Sequence, residues 1–268
     1  MKKILVPIGC RSDEGLSAPV IKRLCKHFEV ETIHLVPQDF EASYSRMNEI
    51  LKRHFDLVFI TGDRVEMCAA AAAAFHNKIL IAHFGAGVTN DPITTFDDVD
   101  RHCITLWSDI QFCEDGYSKA ETEALLHSIK KSNSYVVGIT HLDDLKVDES
   151  KVMKEPYDLL LINAEPLGIT PNHIKERFAI QIGGNPDGGV SFIGDIVYPQ
   201  VPRSQFFGLL NQCQRFITNS SAAIYEAPHF LKPEQIIMIG DRNKNRPIGP
   251  FKTGASDRIV KILQEFLK

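Results

Sequence analysis

The chain has 268 residues, 44% of them hydrophobic and 24% charged, with a net charge of -4. That balance is ordinary for a globular protein and gives no electrostatic reason to expect nucleic acid. The most apolar stretches are strand-sized, which excludes a membrane-spanning helix, and Met1-Lys2-Lys3 runs straight into a first strand rather than a signal peptide.

Taken in chain order, apolar periodicity predicts a strand at Ile4 to Ile8, then a helix at Leu16 to Phe28 with Ile21, Leu24 and Phe28 on one face. A strand at Thr32 to Val36 and a helix at Tyr44 to Arg53 follow. Leu57 to Ile60 reads as a buried strand ending in Thr61-Gly62, with Asp63, Arg64 and an alanine-rich helix behind it. Next come a strand at Ile79 to His83, a helix at Asp97 to Trp107 and a strand at Ile110 to Cys113. A helix at Ser118 to Lys131 and a strand at Tyr135 to Val137 complete the first half.

Residues 141–156 are charged and read as a connection. Beyond them, strands are expected at Leu159 to Ile162, Phe178 to Ile182 and Val190 to Val197, then a helix at Ser204 to Cys213 and a strand at Phe216 to Thr218. A helix from Asn219, a strand at Ile236 to Ile239 and a helix at Asp257 to Phe266 end the chain. Strands alternating with helices predict parallel, doubly wound sheets. The fold class expected is α/β, two Rossmann-like domains facing a cleft, at 1–145 and 155–268.

In such sheets the carboxyl ends of the strands face the ligand. Asp63 stands at such an end, which makes it the leading acid-base candidate. Asp97 and Arg101 are four apart, so they share a helix face: either a surface ion pair or an oriented acid beside a cation. His83 reads as a hydrogen-bonded core residue. The first turn, Gly9-Cys-Arg-Ser-Asp-Glu-Gly15, offers backbone amides and Arg11 to phosphate oxygens, but lacks the nicotinamide fingerprint. Asn219-Ser220-Ser221 are capping residues at a second strand end, an anion pocket or an ordinary cap. Glu226 follows, as a ribose acceptor or a solvated acid. Six cysteines, none in a C-x-x-C pair, give no zinc or dithiol signal and fit reduced thiols in the cytoplasm.

Together these segments resemble the UDP-N-acetylglucosamine 2-epimerase family, especially its hydrolysing, sialic-acid-pathway branch. G-C-R-S-D-E-G-L, G-D-R-V-E-M, F-D-D-V-D-R-H-C-I-T, V-G-I-T-H-L-D-D-L, N-P-D-G-G from Asn185, N-S-S-A-A-I-Y-E-A-P and I-G-D-R-N-K-N-R-P are similar to that branch's motifs, in order, along nearly the whole chain. The resemblance implies a GT-B-like epimerase fold and a UDP-sugar partner, with no metal and no cofactor. It implies that Arg11 contacts the UDP phosphates, Ser220 and Ser221 the pyrophosphate and Glu226 the ribose. Asp63, Asp97 and Arg101 would line the sugar site, with Arg64 and Arg242 among the substrate-binding cations. The reaction implied eliminates UDP to give a 2-acetamidoglucal; water or returning UDP then adds.

The chain departs from the family in several places, among them Ala223 where the family's N-S-S-S-G has its Gly. It is shorter; the family's H-G-G-E-V-T loop appears as G-A-G-V-T, without its Glu; and its F-H-P strand end is replaced by L-L-L-I-N-A-E-P, where Glu165 is the candidate substitute for His. A nucleotide-sugar-binding relative without turnover and a small glycosyltransferase are the competing expectations. A homodimer is compatible with the sequence, which does not fix the oligomeric state.

Overall fold

The computed structural model describes residues 1–9, 11–89, 96–162, 177–183, 194–240, 243 and 249–268, and the side chains of 11 and 12 fall outside that description. Contacts divide the chain into two units, Met1–Asp143 with Phe251–Lys268, and Asp144–Pro250.

In the first unit the elements run β1 (Lys3–Ile8), α1 (Arg11–Leu24), β2 (Glu29–His34), α2 (Phe40–Ile50), β3 (Leu57–Thr61), α3 (Val65–His76), β4 (Leu80–Phe84), α4 (Phe96–Trp107), β5 (Ile110–Cys113), α5 (Gly116–Leu126) and β6 (Ser134–Val136). The six described strands form a sheet in the order β2-β1-β3-β4-β5-β6, and every pairing is parallel. Period-two alternation divides the strands between two cores. Ile4, Val6, Leu57 and Phe59 face one, and Leu5, Val58 and Ile60 face the other. The alanines of α3 pack in the second core, where small side chains bring the helix close to the sheet.

Sequence order assigns the last helix to the second domain. The structure corrects this: α8 (Ala255–Phe266) packs in the first unit, with Ala255, Ile259, Val260 and Leu263 in the same core as Val20 and Leu24. Asp143 ties its start down, its Oδ1 accepting from the Gly254 amide at 2.6 Å and its Oδ2 from the Ser256 amide at 2.8 Å. A cap from so far away in sequence has no local signature.

The second unit contains β7 (Asp158–Ile162), β8 (Ala179–Gly183), β9 (Ile196–Tyr198), α6 (Arg203–Gln212), β10 (Arg215–Thr218), α7 (Ala222–Tyr225) and β11 (Ile236–Met238). Its described strands form a second parallel sheet, ordered β11-β10-β7-β8-β9. The expectation of two parallel α/β domains therefore holds. The helix expected from Asn219 is only four residues long and gives way to a 3-10 turn at Ala227–His229. Pro228 fits the stop: it has no N–H to donate to the Ile224 carbonyl four residues back, which accepts from the Gly249 amide at 3.2 Å instead.

Candidate functional site

Each sheet reverses its strand order beside its first strand, and ligand crevices in open α/β sheets lie at the strand ends there. In the first unit that point lies between β1 and β3. Four residues gather at it: Gly9 and Asp13 after β1, Gly62 and Asp63 after β3. Gly62 has φ +85°, a left-handed conformation that turns the chain sharply from a fully buried strand into α3. A Cβ on Gly9 would lie 2.4 Å from Glu66 Oε1 and 2.9 Å from Asp13 Oδ2, so glycine is required for the turn to close over the two carboxylates.

Asp63 is joined to Arg101. The guanidinium donates through Nη2 to Asp63 Oδ2 and through Nη1 to the Val88 carbonyl. The Arg101 side chain is only 7% exposed and that of Asp63 23%, so the pair is largely screened from bulk water. The second acid beside Arg101 is Asp98, not Asp97. Asp98 is fully buried with Oδ1 at 3.8 Å from Nη1, whereas Asp97 in the first turn of α4 is exposed. With the helix starting at Phe96, spacings of three, four and seven from Asp98 put Asp98, Arg101, His102 and Thr105 on one face.

Arg64 immediately precedes α3, makes no side-chain cap, and donates through Nε to Glu66 Oε1 at 2.8 Å. Glu66 is completely buried, and its Oε2 accepts from the Gln38 amide at 3.1 Å. The sequence reading did not single out Glu66 and Asp13, although both stand in motifs it quoted, G-D-R-V-E-M and G-C-R-S-D-E-G-L, in the first turns of helices that follow strand ends. His83 is buried in β4, with Nε2 2.9 Å from the Gly62 carbonyl and Nδ1 3.1 Å from Thr105 Oγ1. Burial pushes its pKa down to about 4, against the opposing Gly62 carbonyl. It is the hydrogen-bonded core residue expected. His102 is half-buried, and burial first, then Arg101, lowers its pKa.

The loop after β4 is packed down. Gly85 donates its amide to the Phe112 carbonyl at 3.0 Å, and a Cβ on Gly87 would fall 1.8 Å from the Ser118 carbonyl oxygen. Its backbone thus serves the site through Val88, in the stretch where the family carries a glutamate.

In the second unit the reversal lies between β7 and β10, and β10 runs into Asn219-Ser220-Ser221. Ser220 donates its amide to Thr218 Oγ1 at 2.9 Å, and its hydroxyl accepts from the Ala222 amide at 3.3 Å. Ser221 makes no side-chain cap, and the one-turn α7 is too short to attract an anion as a helix would. Asn243 donates to the Asn219 carbonyl at 2.8 Å and holds that turn in place. Glu226 is not the solvated acid considered above. It is buried and accepts from Arg203 Nη2 at 3.2 Å. Burial raises its pKa, and Arg203 opposes the rise. Arg203 in turn lies over the Phe207 ring, 5.2 Å from its centroid. The side chain of Arg11, together with Arg242, Glu165 and the Asn185 segment, lies outside the described residues.

Solved structures share the fold. The S. aureus MnaA–UDP co-structure superposes with a TM-score of 0.79 at 18% identity, covering all of this chain and 97% of the other. A UDP-GlcNAc 2-epimerase from Neisseria meningitidis bound to UDP-GlcNAc gives 0.77 at 17%, covering 98% of this chain and 100% of the other. Among curated proteins, a UDP-N-acetylglucosamine 2-epimerase of Neisseria meningitidis is 24% identical over 93% of this chain and 82% of its own length. A UDP-N,N'-diacetylbacillosamine 2-epimerase (hydrolyzing) of Legionella pneumophila is also 24% identical, over 92% and 83%. The family model for UDP-N-acetylglucosamine 2-epimerase matches residues 42–178, just over half of the chain, a span that takes in Asp63, Arg64, Glu66, Asp98 and Arg101. With the ordered motifs, the paired sheets and this match in agreement, the chain belongs to the UDP-N-acetylglucosamine 2-epimerase family.

Proposed function

We propose that the protein is an enzyme that eliminates UDP from a UDP-amino sugar, UDP-N-acetylglucosamine or a close relative, through a 2-acetamidoglucal. The observation that carries this is the Asp63–Arg101 pair at the first sheet's strand reversal, within the span matched by the family model. In the elimination a base removes the proton from sugar C2 while the bond from C1 to the diphosphate oxygen breaks. UDP leaves with that electron pair. Asp63 is the acid-base residue, and Arg101 holds its carboxylate in place and supplies positive charge. Asp98, close to Arg101, takes the supporting place first assigned to Asp97. Water adding at C1 with a proton at C2 completes the hydrolysing outcome, which the Legionella relative's name supports. UDP adding back instead gives the epimer.

For the nucleotide, Ser220 and Ser221 are assigned to the diphosphate, Glu226 to the ribose diol, and Arg11 and Arg242 to phosphate oxygens. Arg64, braced by Glu66, is a further substrate cation. Among the described residues no helix is long and apolar enough to cross a membrane. The described cysteines are free thiols, which supports a reducing, cytoplasmic setting. A homodimer is the assembly we propose.

Proton NMR of the purified chain with UDP-N-acetylglucosamine in deuterated buffer tests the function. Free UDP with deuterium at C2 of the sugar is expected. UDP binding without release would point to a binding protein, and release only with an acceptor would point to a glycosyltransferase.

A further inference from the structure

His83 joins the two elements that carry the charged pair. The Gly62 carbonyl can only accept, so Nε2, at 2.9 Å from it, carries the ring proton. Nδ1 is then an acceptor, and the Thr105 hydroxyl lies 3.1 Å away. That hydroxyl also lies 2.9 Å from the Arg101 carbonyl. Gly62 immediately precedes Asp63, and Arg101 is one helical turn before Thr105. The backbone under Asp63 is thereby linked, through the imidazole, to α4 at Thr105, one helical turn after Arg101. Both ring nitrogens are engaged and the residue is sealed from solvent, so His83 acts through its neighbours rather than on substrate.

We propose that His83 is a positioning residue: the Gly62–His83–Thr105 bridge sets Asp63 against Arg101 in the geometry the reaction uses. The catalytic consequence rests on the function proposed above; the bridge itself does not. The one hydroxyl hydrogen is shared between Nδ1 and the Arg101 carbonyl, and helix α4 itself fixes Thr105 relative to Arg101.

The test uses the full chain with His83→Asn, Thr105→Val and Thr105→Ser. Three quantities are read: kcat for UDP release, the dissociation constant for UDP, and the proton–nitrogen NMR signals of the Arg101 guanidinium. Thr105→Val, the milder change in volume, is expected to lower kcat on the order of 10- to 100-fold, as sub-ångström misplacement of a catalytic group does. UDP affinity should stay within about twofold, because neither His83 nor Thr105 is among the residues assigned to the nucleotide. The Arg101 signals should shift or broaden. Thr105→Ser, which keeps the hydroxyl, should restore both rate and signals. The double variant His83→Asn/Thr105→Val should be no slower than the slower single one, since both cut one bridge. Unshifted Arg101 signals with an unchanged rate in Thr105→Val would overturn the proposal. So would a rate loss that merely tracks the folded fraction. If the unmodified protein releases no UDP, the proposed function fails, while the Arg101 signals still decide whether the bridge sets the pair.

Discussion

Arg101 donates through Nη2 to the carboxylate of Asp63, 38 residues earlier in the chain, and the same guanidinium lies 3.8 Å from fully buried Asp98. One cation therefore serves two acids and a carbonyl. Arg101→Met removes the positive charge between two carboxylates. Breaking a buried pair from one side costs about 3 kcal/mol or more. Urea unfolding should show a lower midpoint at an unchanged slope, the product of the midpoint shift and the slope giving a loss of that size.

His83 gives the first unit a pH signature. Its pKa is held at about 4, below the ordinary 6.5, so between these values the folded protein binds fewer protons than the unfolded chain. The stability tied to the neutral ring is fully present above pH 6.5 and is lost as pH falls through 4. The difference is roughly 3 kcal/mol. Denaturation at pH 4.5 and 7.5 should show part of that slope, and His83→Gln should lack it.

Glu226 has the opposite sign. Burial raises its pKa above 4.5, so stability due to its neutral form is full below 4.5 and is lost as pH rises through the folded value. A carboxylate must be ionised to accept a ribose diol, so UDP affinity should fall as pH drops through that value. Arg203→Met removes the opposing cation and should move the fall to higher pH. Glu226→Gln should weaken UDP binding about tenfold or more at neutral pH, the worth of a charged hydrogen bond. Calorimetric titrations from pH 4.5 upward read both effects.

The β-α alternation made the sheets legible, and the rule that ligands gather at strand ends pointed to Asp63 and the Ser220 turn, which follow strands at the two order reversals. Finer features were not legible, each for a physical reason. Asp97 and Asp98 are adjacent acids, and only the point where α4 begins decides which of them is buried with Arg101. Glu66 looks like a first-turn acid until the turn at Gly9 closes against it. Helix α8 joined the wrong half because its cap, Asp143, is more than a hundred residues away and its apolar stripe fits either sheet.

Cysteine reactivity should follow the environment of each thiol. Burial pushes the thiol of Cys113 up to about 11, that of Cys213 up to about 12, and that of Cys68 higher still, while Cys25 is exposed. Iodoacetamide at pH 7.5 should modify Cys25 readily. Cys68, Cys113 and Cys213 should react only after unfolding, as peptide mass mapping would show.

The central claim is proton transfer by Asp63 at a UDP-amino sugar. Its most direct test is UDP release from UDP-N-acetylglucosamine, with deuterium uptake at C2, in the unmodified protein and in Asp63→Asn, each checked for UDP binding. Release and exchange should occur in the former. Both should fall at least about 100-fold in the latter with UDP affinity retained, the loss expected of a general acid-base group. Full turnover by Asp63→Asn would contradict the claim.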